Sequence, residues 1–142
     1  MKRVRATLPR LLLVLALLAT SACAGQNGPG DLLAQLQSDP MAAWTPAQGK
    51  LIENLELEYN DGGFLGKPSP ASLTRLYQLP DQTAAASAAQ DARQAAQDAD
   101  WQPLSSGSSE LSKPLQAGNA SLLIAPTDSD PSRLSVSLTA SR

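Results

Sequence analysis

Around residues 54–60 the chain alternates strictly, with Leu55, Leu57 and Tyr59 set between Asn54, Glu56, Glu58 and Asn60. A period of two is the pattern of a half-buried strand, and Asp61-Gly62-Gly63 ends it as a turn. Residues 72–79 read as a second strand closed by Pro80. Arg75 interrupts an otherwise apolar face of Leu73, Tyr77 and Leu79, as an edge strand would permit. Residues 84–100 change period. At about 100° per residue, eight of the nine alanines there fall within an arc of about 140°, and the Gln, Asp, Ser and Arg residues fall opposite. That predicts an amphipathic helix whose buried face is made of methyl groups, capped by Asp81 or Ser87. A shorter helix carrying Leu32, Leu33 and Leu36 is predicted between Asp31 and Ser38-Asp39-Pro40. Beyond Trp101 the pattern is extended again, through 101–104, 111–115 and 120–125. The final alternation sets Leu134, Val136 and Leu138 between Ser135, Ser137 and Thr139. The economical assembly is an α+β single domain over residues 31–142. It is an antiparallel sheet of about four to five strands, with the alanine-faced helix, about 82–100, packed on one face.

Alternation also assigns faces. If Leu73, Tyr77 and Leu79 meet Leu122 and Ile124 in the core, Leu76 and Leu123 project from the opposite side of the sheet, because successive side chains point to opposite faces. Two coverings are open. The short helix bearing Leu32, Leu33 and Leu36 can pack there. Otherwise Leu76 and Leu123, ringed by Glu56, Glu58, Ser135 and Ser137, form an exposed apolar patch of the kind that receives a protein or lipophilic partner.

The N-terminal residues form a separate unit. Lys2, Arg3, Arg5 and Arg10 precede nine uninterrupted apolar residues, 11–19, followed by Thr20-Ser21-Ala22-Cys23. Basic, apolar and small-residue regions in that order constitute an export signal, and the run falls short of the ~20 residues a membrane span needs. Thr20-Ser21-Ala22-Cys23 resembles the lipobox of bacterial lipoproteins, with Thr20 where that family usually has leucine. The resemblance covers only the first 23 residues. It implies removal of a signal peptide, 1–22, and attachment of diacylglycerol to the Cys23 sulfur, anchoring the chain to a membrane of the cell envelope outside the cytoplasm. Residues 23–30, with three glycines and no large apolar side chain, would then be a flexible tether. Ala22-Cys23-Ala24 also fits ordinary signal peptidase, which would cut after Ala24 and release a soluble secreted protein.

Composition narrows the chemistry. From Cys23 onward, seven Lys and Arg face all thirteen acids, a formal charge of −6, which argues against nucleic acid or an anionic bilayer surface as partner. The chain has no histidine, and Cys23 is its one cysteine. Ser-His-Asp and Cys-His catalysis are therefore excluded, and so is a multi-cysteine zinc site. Glu56 and Glu58 could in principle act as a glycosidase pair, but a small sheet with a methyl-faced helix predicts no cleft for a sugar chain. Asp128-Ser129-Asp130 lacks the glycine and closing glutamate of a calcium loop and reads as a solvated turn. Gly66-Lys67-Pro68-Ser69 lacks the spacing of a phosphate loop.

The expectation is a non-catalytic binding or assembly module without metal or cofactor. It would be monomeric, held at a membrane through lipid on Cys23, and would meet an envelope protein or ligand. The whole resembles the small envelope lipoproteins of bacteria, a likeness that implies location only. The alternative is a secreted enzyme or inhibitor.

Overall fold

The computed structural model describes residues 31–64 and 66–142. Cys23, the signal segment 1–22 and the tether 23–30 lie outside them. Among the described residues three helices, α1 (Leu32–Gln37), α2 (Pro40–Ala43) and α3 (Gln82–Asp98), accompany six strands. These are β1 (Lys50–Leu57), β2 (Ala71–Gln78), β3 (Gln102–Pro103), β4 (Glu110–Leu115), β5 (Gly118–Pro126) and β6 (Arg133–Ser141). One fully antiparallel sheet runs in the order β1-β2-β6-β5-β4-β3. The α+β class and single domain stand; the sheet has six strands instead of four to five. The additions come where the pattern is weakest. β3 is two residues long and has no period of its own, and β4 contains Pro114.

All three helices start on the same device. Asp31, Asp39 and Asp81 are extended, and their carboxylates accept the backbone N–H of Ala34, Met41 and Ala84 respectively. Of the two caps predicted for the alanine helix, Asp81 is the one used. Ala85, Ala88, Ala89, Ala92 and Ala96 are buried, and Ala84, Ala95 and Ala99 pack partly buried against the core, which is the predicted alanine arc. The helix brings only methyl groups to this contact, against Leu122, Ile124, Val136 and Leu138 of the sheet, and Arg93 reaches over to donate to the Ile124 carbonyl at 3.0 Å.

α3 ends in a Schellman turn. The Asp100 N–H bonds the Gln97 carbonyl and the Trp101 N–H bonds the Ala96 carbonyl, with Asp100 at φ 67°, where glycine is usual.

The core lies entirely between the helices and one face of the sheet. Leu32, Leu36 and Met41 join the α3 alanines, Leu73, Tyr77, Trp101, Leu111, Leu122, Ile124, Leu134, Val136 and Leu138 in one cluster. Tyr77 donates its hydroxyl to the Trp44 carbonyl at 2.7 Å and meets the Trp44 ring edge-on at 6.0 Å. α1 therefore packs beside α3 on the same side. The reading in which it covers the face of Leu76 and Leu123 is overturned: Leu32 and Leu36 are fully buried against the helix-side face of β2 and β6.

Two further expectations are corrected. β1 is not half-buried, since all eight of its residues are exposed. β2 is not an edge strand, since it lies between β1 and β6; Arg75 keeps a place on its buried face by being only partly covered.

Candidate functional site

Register fixes what the uncovered face presents, because residues directly paired across antiparallel strands share a face. One row crosses it as Leu55, Thr74, Ser137, Leu123 and Glu110. A second runs Leu57, Ser72, Thr139, Ser121, Ser112 and Gln102, and a third Glu53, Leu76, Ser135 and Ala125. The face is thus a hydroxyl-lined floor with Leu55 and Leu57 at one flank and Leu123 toward the other. Thr74 and Ser137 bond each other across it at 2.8 Å. No described helix or loop strand pairs over this floor, and Leu55, Leu57 and Leu123 remain 53%, 64% and 46% exposed.

Leu76 and Leu123 both occupy this face, as predicted, with β6 between them, roughly 10 Å apart in the direction across the strands. Leu76 is partly covered and Leu123 open. Ser135 and Ser137 lie between them, as expected of the ring. Glu56 does not: it pairs with Leu73 and stands on the helix side, where Gln37 donates to it at 2.7 Å and Asn54 at 3.1 Å. Those hydrogen bonds, Asn54 first, hold its carboxyl below the ordinary glutamate range, with a smaller contribution from Arg75. The acids that do flank the open face are Glu53 and Glu110.

Leu55 and Leu57 were missed as members of this surface. The signal was present in the hairpin: Asn60 bridges Ser69, and continuing that register sets Leu57 opposite Ser72 and Leu55 opposite Thr74, on the face away from Leu73.

Three other polar arrangements are structural. Asp39 is buried, and its carboxylate accepts from Met41 N–H at 2.9 Å, Trp101 Nε1 at 3.1 Å and Lys113 Nζ at 2.8 Å. Lys113 also donates to the Ala99 carbonyl at the end of α3 and lies 5.8 Å from the Trp101 ring centre. A hollow of about 290 Å³ beside this pair is lined by Gln35, Ser38, Pro40 and Leu115 among others. In the β5–β6 loop, Asp130 accepts from the hydroxyl and N–H of Ser132 at 2.6 and 3.0 Å and pairs with Arg133 at 3.2 Å. The Ser132 bonds hold its carboxyl below the ordinary aspartate range. An open hollow of about 400 Å³ lies between Glu58, Asn60, Asp61 and Arg142, where the Arg142 guanidinium lies 5.2 Å from the Tyr59 ring centre.

Glu56 and Glu58 lie exposed at the sheet edge. Among the described residues no three His, Cys, Asp or Glu side chains are grouped to hold a metal ion, and no helix is long and apolar enough to cross a membrane. A scan of protein-family models, a search of curated proteins and a search of solved structures each returned no match.

Proposed function

We propose that this chain is a non-catalytic binding module of the bacterial envelope, anchored through lipid on Cys23 and presenting the helix-free face of its sheet to a partner. The observation that carries the binding role is the one-sided core. Among the described residues every helix packs on the same face, leaving Leu55, Leu57 and Leu123 in solvent around a floor of hydroxyls. A surface of exposed leucines with a hydroxyl interior offers apolar anchors and many adaptable hydrogen-bonding groups, the combination used in protein recognition. The anchor rests on the lipobox-like Thr20-Ser21-Ala22-Cys23 and on the place of the chain's one cysteine. Two acyl chains suffice for stable attachment at roughly 0.8 kcal/mol per buried methylene.

Mass spectrometry of the chain taken from membranes tests the anchor, with a diacylglyceryl-modified N-terminal Cys23 expected. An unmodified chain starting at Gly25 in the medium would replace it with the secreted alternative. The binding face is tested by a photo-crosslinking residue placed at position 123 or at Gln90, on the exposed side of α3, in intact cells. A discrete adduct from position 123 alone is expected, and equal labelling from both positions, or none from 123, rejects the face.

A further inference from the structure

β1 ends the sheet and pairs on one side only, with β2. Among the described residues seven large apolar side chains are exposed, and four of them, Leu51, Ile52, Leu55 and Leu57, stand on this one strand. An edge strand offers a row of backbone N–H and C=O groups that a further strand can pair with, and folded proteins normally blunt such edges by proline, brevity, charged side chains, a bulge or a covering loop. The opposite edge is blunted in that way: β3 is two residues and one is Pro103. β1 has eight residues and no proline; the devices it carries are the shift in register between Leu51 and Glu53 and its charged residues, which admit only a partner of complementary charge.

Charge decides between occupants. Glu53, Glu56 and Glu58 lie along this edge and Lys50 is the one cation on the strand itself, with Arg75 of β2 near Glu56 and Arg142 lining the same hollow as Glu58. A second copy would bring the same three carboxylates to the seam with one lysine to meet them: self-pairing centred on Glu53 or Glu56 sets a like pair directly opposite, and even that centred on Asn54, with Lys50 against Glu58, leaves each copy's other two acids uncompensated. The whole chain from Cys23 onward, at a formal −6, adds long-range repulsion. An extended segment alternating apolar and basic residues meets neither obstacle. Its apolar side chains would continue the open face beside Leu55 and Leu57, and its Lys or Arg would lie on the helix side beside Glu56 and Glu58. Resting on the binding role proposed above and giving it a mode, we propose that β1 receives such a segment of a partner protein as a seventh strand.

The full-length chain, purified from membranes in detergent, is titrated with a labelled, end-blocked octapeptide alternating valine and lysine and followed by fluorescence anisotropy. Saturable one-to-one binding is expected, with the valine–glutamate counterpart about tenfold weaker or worse, since several cross-strand charge pairs change sign. The double variant Glu56→Lys/Glu58→Lys changes the two exposed acids of the helix side, where the segment's basic residues would lie. It should remain cooperatively folded and reverse the preference between the two peptides. N-methylating every peptide amide should abolish binding. The proposal falls if the two peptides bind equally, if the double variant keeps the original preference, or if the methylated peptide still binds. It also falls if the free chain sediments as a dimer that the double variant dissolves. Failure here alongside an adduct from position 123 removes strand addition and leaves the open-face role intact; failure of both removes the binding role itself.

Discussion

Asp39 concentrates more of the molecule's connectivity than any other polar residue described. It starts α2, takes the Trp101 indole N–H and holds Lys113, so one carboxylate joins an N-terminal helix to the end of α3 and to β4. With its side chain only 4% exposed, removing it strands a buried indole donor and takes the carboxylate from a partly covered ammonium. Breaking one side of a buried pair costs more than the pair itself is worth. Asp39→Ala should lower unfolding free energy by about 3 kcal/mol, read from urea denaturation.

Asp130 and Glu56 act through protons. Both have folded-state values below those of the unfolded chain, so the unfolded chain binds more protons in acid. Their contribution is in full force above the ordinary carboxylate range and is lost as pH falls through the lowered folded values. In a carboxyl-carbon NMR titration, Ser132→Ala should raise the Asp130 midpoint toward an ordinary aspartate and leave Glu56 unmoved.

At the scale of elements, α3 was legible because alanine and polar residues segregate by angle, and the same arc predicts how it tolerates change. Ala92 is fully buried, so Ala92→Leu should cost about 1–3 kcal/mol by overpacking, whereas Ala86→Leu on the exposed side should stay within about 0.5 kcal/mol. The helix's end was not legible, since Asp100 carries no sign of its left-handed φ of 67°. Asp100→Gly removes that steric cost and should raise stability by about 1 kcal/mol in thermal denaturation.

The strands divide in the same way. β6 announced itself because both its faces lie in the middle of a sheet and only one meets the core. β1 carries an equally clean alternation, but alternation says only that two faces differ, not which is covered. Leu55 and Leu57 turned out to face away from the helices. Arg75 misled for a related reason: a long side chain can lie on a buried face while only partly covered, although its Nε is buried without a hydrogen-bond partner.

For the whole molecule, strand composition foretold one sheet with helices on a side, while strand order was beyond reach, because pairing partners are distant along the chain. The clearest case is the seam of β2 with β6, where Ala71 meets Ala140 and Gln78 meets Arg133. The open face also makes a prediction at this scale. Leu123→Ser should move the melting temperature little, and the Leu76→Ser/Leu123→Ser pair should cost only about 1 kcal/mol, since neither leucine belongs to the core cluster. A loss of several kcal/mol by calorimetry would mean that the face is packed after all.

That seam governs the order of events in folding. β6 follows every other strand in the chain yet stands third in the sheet, holding the β1–β2 hairpin to the β5–β4–β3 half. Until residues 133–141 have been made and delivered, the two halves have no common strand, and Leu73 and Tyr77 on one side have nothing to share with Leu122 and Ile124 on the other. A chain exported from its N-terminus would cross a membrane with its halves unjoined, a state a translocation channel can thread. It would close only on arrival, and slowly, as sheets built on distant contacts do. Deleting residues 127–142 should therefore abolish cooperative unfolding altogether instead of lowering its midpoint.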